Sequence, residues 1–414
     1  MTRIQRTETL LYDRKIECFE KLPGDVDLAK MFALAQENQG NDDPFMVLNI
    51  DTLIEKVDEW KRELPRVEPC YAVKCNPDKV LVEVLANLGV GFDCASQQEI
   101  EDVLIHGCKP ENIIYAHPCK PIKHLKAANN EHVEMMTFDT EEELLKVRAH
   151  HENPKMILRI AVADPTALCQ LNTKFGVDPV DQAPQLLTRA KELKVDVAGI
   201  SFHIGSGAND FTTYELAIEH ARRLFDFALK IGHPMNVLDI GGGFPGGEHK
   251  MSFDKIAAVV RGALDKHFPD DSTRIIAEPG RFFAAAPICE CVNVIHAALA
   301  PRKLDAPNHM AYYINDGIFG SFNCKLYDHI HPQGIPLRKP ENDLLHPTTI
   351  WGPTCDGADK VEENVLLPKL EIGSWLFYPE MGAYTITAGS TFNGFPRPKM
   401  YYAISRSNYE KYLA

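Results

Sequence analysis

Long apolar runs are missing from this 414-residue chain. No stretch approaches the roughly 18 consecutive apolar residues that cross a bilayer, and the nearest, residues 284–300, is interrupted by Glu290 and Asn293. The first residues, Met-Thr-Arg-Ile-Gln-Arg-Thr-Glu, lack an apolar leader core, so no secretory signal is expected. Positive charge is in deficit: 44 Lys and Arg face 58 Asp and Glu, a formal net charge of -14. That balance argues against nucleic acid or an anionic membrane as partner, because phosphate attraction needs a basic field. Metal-binding spacings are also absent. There is no Cys-x-x-Cys and no His-Glu-x-x-His, and His329-Ile-His331 has no further ligands nearby, so no metal is expected. Eleven cysteines, odd in number and irregularly spaced, read as the reduced thiols of a cytoplasmic protein, most of them small buried apolar residues.

What is present is an ordinary globular composition, 45% hydrophobic and 25% charged, with no low-complexity tract. The length suits a barrel of about 250 residues with a smaller partner domain. Residues 1–45 mix charge with short apolar runs, suggest a strand near Leu10-Leu11-Tyr12, and carry no motif. A helix is expected from Asp51, which can cap it, with Leu53, Val57, Trp60 and Leu64 on one face and Pro65 as its stop. Short apolar strands then alternate with helices: a run ending at Lys74, Val90-Gly-Phe-Asp-Cys-Ala95, Ile113-Ile-Tyr-Ala-His117, Met135-Met-Thr-Phe-Asp139 and Met156-Ile-Leu-Arg-Ile-Ala161. Val197-Ala-Gly-Ile-Ser-Phe-His203, Val237-Leu-Asp-Ile240 and Arg274-Ile-Ile-Ala-Glu278 complete the series. Ser96-Gln-Gln-Glu99 and Thr140-Glu-Glu-Glu143 read as capping boxes. Eight strands, each tied to a helix, are the arithmetic of a (β/α)8 TIM-type barrel, with an open doubly wound sheet as the alternative. After Arg281 strand-like runs alternate with Gly, Pro and Asn clusters, which predicts a mostly β C-terminal domain. The expected division is 46–283 for the barrel and 1–45 with 284–414 for the β domain.

The stretch Pro69-Cys-Tyr-Ala-Val-Lys-Cys-Asn76 holds the first chemical signal. A lysine at the C-terminal end of a barrel strand stands where such barrels do chemistry, and its amine can form a Schiff base with a carbonyl cofactor. Taken alone it also reads as a solvated lysine. Further polar residues fall at the other strand ends: Asp93, His117, Asp139, Arg159, His203, Gly241 to Gly243, and Glu278 with Arg281. Singly, His203 reads equally as a core histidine and the glycines as a plain turn. Together they meet the needs of pyridoxal 5'-phosphate. The glycines and Arg281 suit the phosphate. Glu278 suits the pyridine nitrogen, and His203 the ring face.

Tyr71-Ala-Val-Lys-Cys-Asn76, Gly91-Phe-Asp-Cys-Ala-Ser96, Ser201-Phe-His-Ile-Gly-Ser-Gly207, Leu238-Asp-Ile-Gly-Gly-Gly-Phe-Pro245 and Ile276-Ala-Glu-Pro-Gly-Arg281 follow in order. So do Gly320-Ser-Phe-Asn323, Leu326-Tyr-Asp-His329, Trp351-Gly-Pro-Thr-Cys-Asp-Gly357, Met381-Gly-Ala-Tyr384 and Ser390-Thr-Phe-Asn-Gly-Phe395. The series resembles the eukaryotic ornithine decarboxylase family over about residues 45–405. The resemblance implies an alanine racemase-like architecture, a head-to-tail homodimer with shared active sites, and L-ornithine as substrate. It implies Lys74 as the Schiff-base lysine and Glu278 at the pyridine nitrogen. Ser206, Gly243, Gly280, Arg281 and Tyr384 would hold the phosphate, with Asp93, Arg159 and His203 around the ring. Cys355 and Asp356 would reach the substrate from the partner subunit, joined by Asp328, with Tyr327 and Phe319 on the same side. Cys355 would return the proton. Lys174 and Asp359 match an intersubunit ion pair.

Two departures stand out: Phe319 replaces the family's tyrosine, and His117 its asparagine. The Pro/Glu/Ser-rich tail of vertebrate members is not found before Ala414. A lysine, arginine or diaminopimelate decarboxylase on the same fold is a rival reading. So is a non-catalytic relative of the antizyme inhibitors, and antizyme is a possible partner on the family's pattern.

Overall fold

The computed structural model describes residues 6–11, 14–162, 174–205, 212–247, 252–299, 308–339 and 344–414. Two compact units emerge, one running from Ile54 to Phe283 and the other from the chain on either side. The first is a closed barrel of eight parallel strands: Val67–Ala72, Gly91–Cys94, Ile113–Tyr115, Met135–Phe138, Lys155–Ile160, Val197–Phe202, Val237–Asp239 and Arg274–Ala277. Each pairs with the next in sequence, and the last closes on the first, Ile276 opposite Glu68. All eight strands expected from sequence are present, so the open-sheet alternative falls away.

Local chemistry explains the alternation. Asp78 caps the helix Lys79–Asn87 by accepting the N–H groups of Val80 (3.0 Å) and Leu81 (3.1 Å). Gly89, at φ +79, ends it in the left-handed conformation glycine adopts without strain. Ser96 accepts the Glu99 N–H at 3.2 Å as a capping box requires, while the Glu99 carboxylate turns back to the N–H of Ala95. The second expected box is half made. Thr140 accepts the Glu143 N–H at 3.2 Å, but the Glu143 carboxylate is taken by the buried amine of Lys120 at 2.9 Å. Asp51 is not the cap of its helix, Ile50–Glu63. The N–H of Thr52 goes to the Asn49 side chain (3.2 Å), and Asp51 accepts the Ser405 N–H at 3.0 Å. Leu53, Val57, Trp60 and Leu64 are all buried as their spacing predicts. Trp60 packs among Phe244, Phe253 and Phe282 with centroids 4.9 to 5.4 Å apart, and its indole N–H donates to Val67 O at 2.9 Å. Each large apolar side chain so withdrawn from water contributes about 1.5–3 kcal/mol.

The second unit is a ten-stranded, mostly antiparallel sheet. Arg6–Leu11 and Arg14–Phe19 pair antiparallel, and Lys399–Ser405 runs parallel to both Arg14–Phe19 and Phe45–Asn49. Phe45–Asn49 pairs in turn with Ile288–Leu299. The pairing of Phe45–Asn49 therefore draws residues 46–53 into this unit. A helix not expected from sequence, Asp25–Glu37, packs Leu28, Ala29, Phe32 and Ala33 onto Phe45, Trp375 and Phe377. Its N-cap is Gly24, without a side-chain bond, so no start signal announced it. Among the described residues the ten cysteines are free thiols, with only Cys119 and Cys355 exposed. Among the described residues no helix is long and apolar enough to cross a membrane.

Candidate active site

The barrel strands end at one mouth, and the sequence-predicted residues lie around it. The strand Val67–Ala72 stops two residues short of Lys74, which sits in a 3-10 turn, Val73–Cys75. Tyr71, buried below, donates its hydroxyl to Asn76 O at 3.0 Å and so fixes the turn. Lys74 Nζ lies 2.8 Å from Asp93 Oδ2, an exposed amine against a carboxylate that is 1% exposed. Asp93 is held in the neighbouring strand, opposite Ala72.

Two strands round the barrel from Val67–Ala72, the strand Val237–Asp239 runs into Gly241, Gly242 and Gly243. A Cβ at Gly241 would stand 2.1 Å from Phe202 O, and one at Gly243 2.5 Å from Gly205 O; their φ values are +65 and +101. Only glycine fits here, and the bare backbone it leaves can be approached closely by an anion. Asp239 and Tyr214 were not predicted, yet they shape this turn. Asp239 Oδ1 accepts the Gly241 N–H at 2.9 Å, and the buried Tyr214 hydroxyl donates to Gly242 O at 3.1 Å. The backbone of Glu278 donates to Gly241 O at 2.7 Å. The one available signal was the carboxylate of Asp239 just before the glycines; Tyr214, on the helix Thr212–Ile231, had none.

Electrostatics follow from burial. Glu278 is pushed well above the usual carboxylate range by desolvation, then by Asp239 and Asp93, against a weaker pull from Lys74 and Arg159. Asp239 is pushed up to about 7 by burial, despite its bond from Gly241. The two carboxyls therefore retain a proton between them. His203 is pushed well below its ordinary value by burial, Arg159 and Lys74, so its ring is neutral, with Nδ1 accepting the Gly205 N–H at 3.0 Å. Among the described residues, Asp93 Oδ1 and Arg159 Nε are buried at this mouth without a hydrogen-bond partner.

Phe175, which sequence reasoning did not single out, gathers several predicted residues. Lys174 Nζ lies 5.0 Å and the Arg159 guanidinium 5.6 Å from its ring, with His117 edge-on at 5.9 Å. Asp139 accepts the Gly176 N–H at 2.8 Å. Arg281 opens the short helix Arg281–Ala284 directly after Gly280. Ser206 lies outside the described residues.

The remaining predicted residues belong to the sheet unit. Asp359, 1% exposed, is clamped in its own chain: Oδ1 accepts the Ile318 N–H (2.8 Å), and Oδ2 accepts the Thr354 N–H (2.9 Å) and hydroxyl (2.6 Å). That clamp holds a loop in which Cys355 and Asp356 are both exposed. Phe319 stacks on Phe392 with centroids 4.4 Å apart. Asp328 is buried at the end of the helix Cys324–Tyr327, while the neighbouring Tyr327 ring is exposed. Tyr384 adopts φ +55, a left-handed conformation that costs a non-glycine residue about 1–3 kcal/mol.

A parallel barrel with a lysine at its mouth, a side-chain-free glycine turn and a proton-retaining buried carboxyl pair defines the class. Residues 50–285 match the pyridoxal-dependent decarboxylase pyridoxal-binding domain and residues 258–382 its C-terminal sheet domain, so the chain belongs to the pyridoxal-dependent decarboxylase family. It is 50% identical to an ornithine decarboxylase of Caenorhabditis elegans, over 97% of each chain. It is 47% identical to antizyme inhibitor 2 of Xenopus laevis, over 88% of this chain and 82% of that one. Among solved structures, the arginine decarboxylase of Paramecium bursaria Chlorella virus superposes with a TM-score of 0.86 at 36% identity, covering 91% of this chain and 100% of that one. The family's cofactor, pyridoxal phosphate, fits the donor set. The glycine turn has no Cβ to block a phosphate, and the buried, proton-retaining carboxyls of Glu278 and Asp239 suit a protonated ring nitrogen, whose charge would offset their burial.

Proposed function

We propose that this chain decarboxylates L-ornithine to putrescine, the entry to polyamine synthesis, as a cytoplasmic head-to-tail homodimer. The observation that carries the reading is Lys74, 2.8 Å from buried Asp93 at a barrel mouth shared with the glycine turn and Glu278. Pyridoxal phosphate, when bound, supplies an aldehyde that joins amines and a ring that takes up the electrons of a breaking bond. Lys74 would hold the aldehyde and Glu278 the ring nitrogen. Gly243, Gly280, Arg281, Ser206 and Tyr384 would hold the phosphate, with Asp93, Arg159 and neutral His203 around the ring. Asp328 and Asp356 would pair with the substrate's distal ammonium, since carboxylate in excess selects a cationic side chain. Tyr327 and Phe319 would line the same side. Cys355, exposed on a loop that Asp359 stiffens, would reach a partner subunit's substrate and protonate its α-carbon. Lys174 and Asp359 would meet across that interface.

Ornithine is favoured over other amino acids by the worm relative's name, and decarboxylation over a binding role by the presence of Lys74, Asp93, Arg159, Asp328, Cys355 and Tyr384 together. The likeness to a protein named antizyme inhibitor 2 supports antizyme as a partner. One methylene of side-chain length is worth only about 1–3 kcal/mol in selectivity. A panel of ornithine, lysine, arginine and diaminopimelate therefore tests the reading, with CO2 and product amine both measured. Putrescine as the dominant product is expected; cadaverine or agmatine in excess of it would overturn the substrate assignment, and no CO2 from any amino acid the catalytic one.

A further inference from the structure

The sheet unit contains a buried carboxyl pair that the reaction does not call for. Glu290 lies in the strand Ile288–Leu299 between two paired neighbours, opposite Met46 on one side and Tyr378 on the other. It is 0% exposed, and neither of its carboxyl oxygens receives a hydrogen from any donor among the described residues. Within hydrogen-bond reach stand the Asp316 carboxyl and Ser321, and no lysine or arginine acts on the group. Asp316 is differently placed. Its Oδ1 accepts the N–H groups of Gly317 (2.6 Å) and Ser321 (3.2 Å), and its Oδ2 also faces the Ser321 N–H at 3.2 Å. Several backbone donors thus stabilise a charge on Asp316, while Glu290 has only the Ser321 side chain beside it to do so, so a proton shared by the two resides on Glu290. The backbone wraps closely over Asp316: a Cβ at Gly320 would fall 1.8 Å from its Oδ1.

We infer that Glu290 is a positioning residue for substrate recognition, its carboxyl donating a hydrogen bond to Asp316 and thereby pinning the turn that carries Phe319 and leads to Asp328. The inference rests on the reading of Phe319, Asp328 and Tyr384 as substrate- or cofactor-facing. The turn is tied to each of their neighbourhoods. Phe319 O accepts the Ser390 N–H at 2.8 Å, and the amide of Asn323 donates to Thr385 O, next to Tyr384, at 2.6 Å. Ile318 donates to Asp359 at 2.8 Å, in the clamp of the Cys355 loop. Three parts of the substrate side therefore hang on one segment, and that segment folds around Asp316. Without a donor from Glu290, the Asp316 carboxylate keeps only its bonds from Gly317 and Ser321.

The test uses the full-length, cofactor-loaded enzyme. Glu290→Ala should raise KM for ornithine about tenfold, as expected when a buried acceptor loses its donor, with kcat and cofactor absorbance little changed. Glu290→Gln, whose amide can still donate to Asp316, should restore KM. In the infrared difference between wild type and Glu290→Gln, the carbonyl band of a protonated carboxyl should disappear. The inference is overturned if the glutamine variant is as impaired as the alanine variant, if Glu290→Ala leaves KM unchanged, or if no such band is lost. Should the alanine variant fail to fold, the band and the glutamine kinetics still decide. Asp328→Ala separates the two readings: if it leaves KM unchanged, the substrate assignment fails, whereas an effect at Asp328 with none at Glu290 sinks only the present inference.

Discussion

Glu278 and Asp239 lie in one buried environment, and their behaviour turns on which of them holds the proton. With the cofactor bound, Glu278→Ala removes the charge partner proposed for the ring nitrogen, so kcat should fall by about a hundredfold or more while ornithine binding changes little. Steady-state kinetics on the loaded enzyme check this, and an unchanged kcat would remove Glu278 from the reaction. Asp239 gives a pH prediction. Burial pushes its carboxyl up to about 7 in the folded chain, from about 3.9 when unfolded. Between those values the native state holds the extra proton, so its contribution to stability is complete below about pH 4 and is lost as pH rises through 7. In cofactor-free protein, Asp239→Asn keeps an acceptor for Gly241 and should flatten the fall in Tm with rising pH; a parallel fall would refute the shift. Phe319 packs on Phe392 where the family's tyrosine would place a hydroxyl. Phe319→Tyr should lower KM for ornithine by about 0.5–1.5 kcal/mol if that hydroxyl meets the substrate.

At the scale of elements, the glycine turn makes the sharpest demand. Gly243→Ala sets a Cβ 2.5 Å from Gly205 O at φ +101, so the turn must shift and the cofactor should be held at least about tenfold more weakly, as read by absorbance titration. Unaltered affinity would place the phosphate elsewhere. The barrel strands were legible because each is a short, mostly apolar run of three to six residues, and Ser96 and Thr140 cap as read. Legibility failed where a side chain had a tertiary choice. Asn49 took the cap expected of Asp51, which went to Ser405; Glu143 left its box for Lys120. The helix Asp25–Glu37 was missed because its apolar face is half alanine and its N-cap is a glycine. Tyr214 escaped notice because its partner, Gly242, is far away in sequence, and Glu290 showed only as a charge interrupting an apolar run, its neighbour Asp316 lying 26 residues on.

For the whole molecule, the proposed sharing of active sites between subunits is the part that one chain cannot display. Cys355 is exposed on its loop, as a residue serving a partner's site must be. Lys74→Ala and Cys355→Ala, each inactive alone, should recover about a quarter of wild-type activity when subunits exchange at random, since half the dimers are mixed and half their sites carry neither defect. No recovery, with exchange confirmed by mass, would put both residues in one chain's site. The account as a whole stands on Lys74 as the point where the cofactor is held. Borohydride reduction of the cofactor-loaded protein, followed by peptide mapping, should leave a single pyridoxyl label on the peptide carrying Lys74; a label on any other lysine, or none at all, would contradict it.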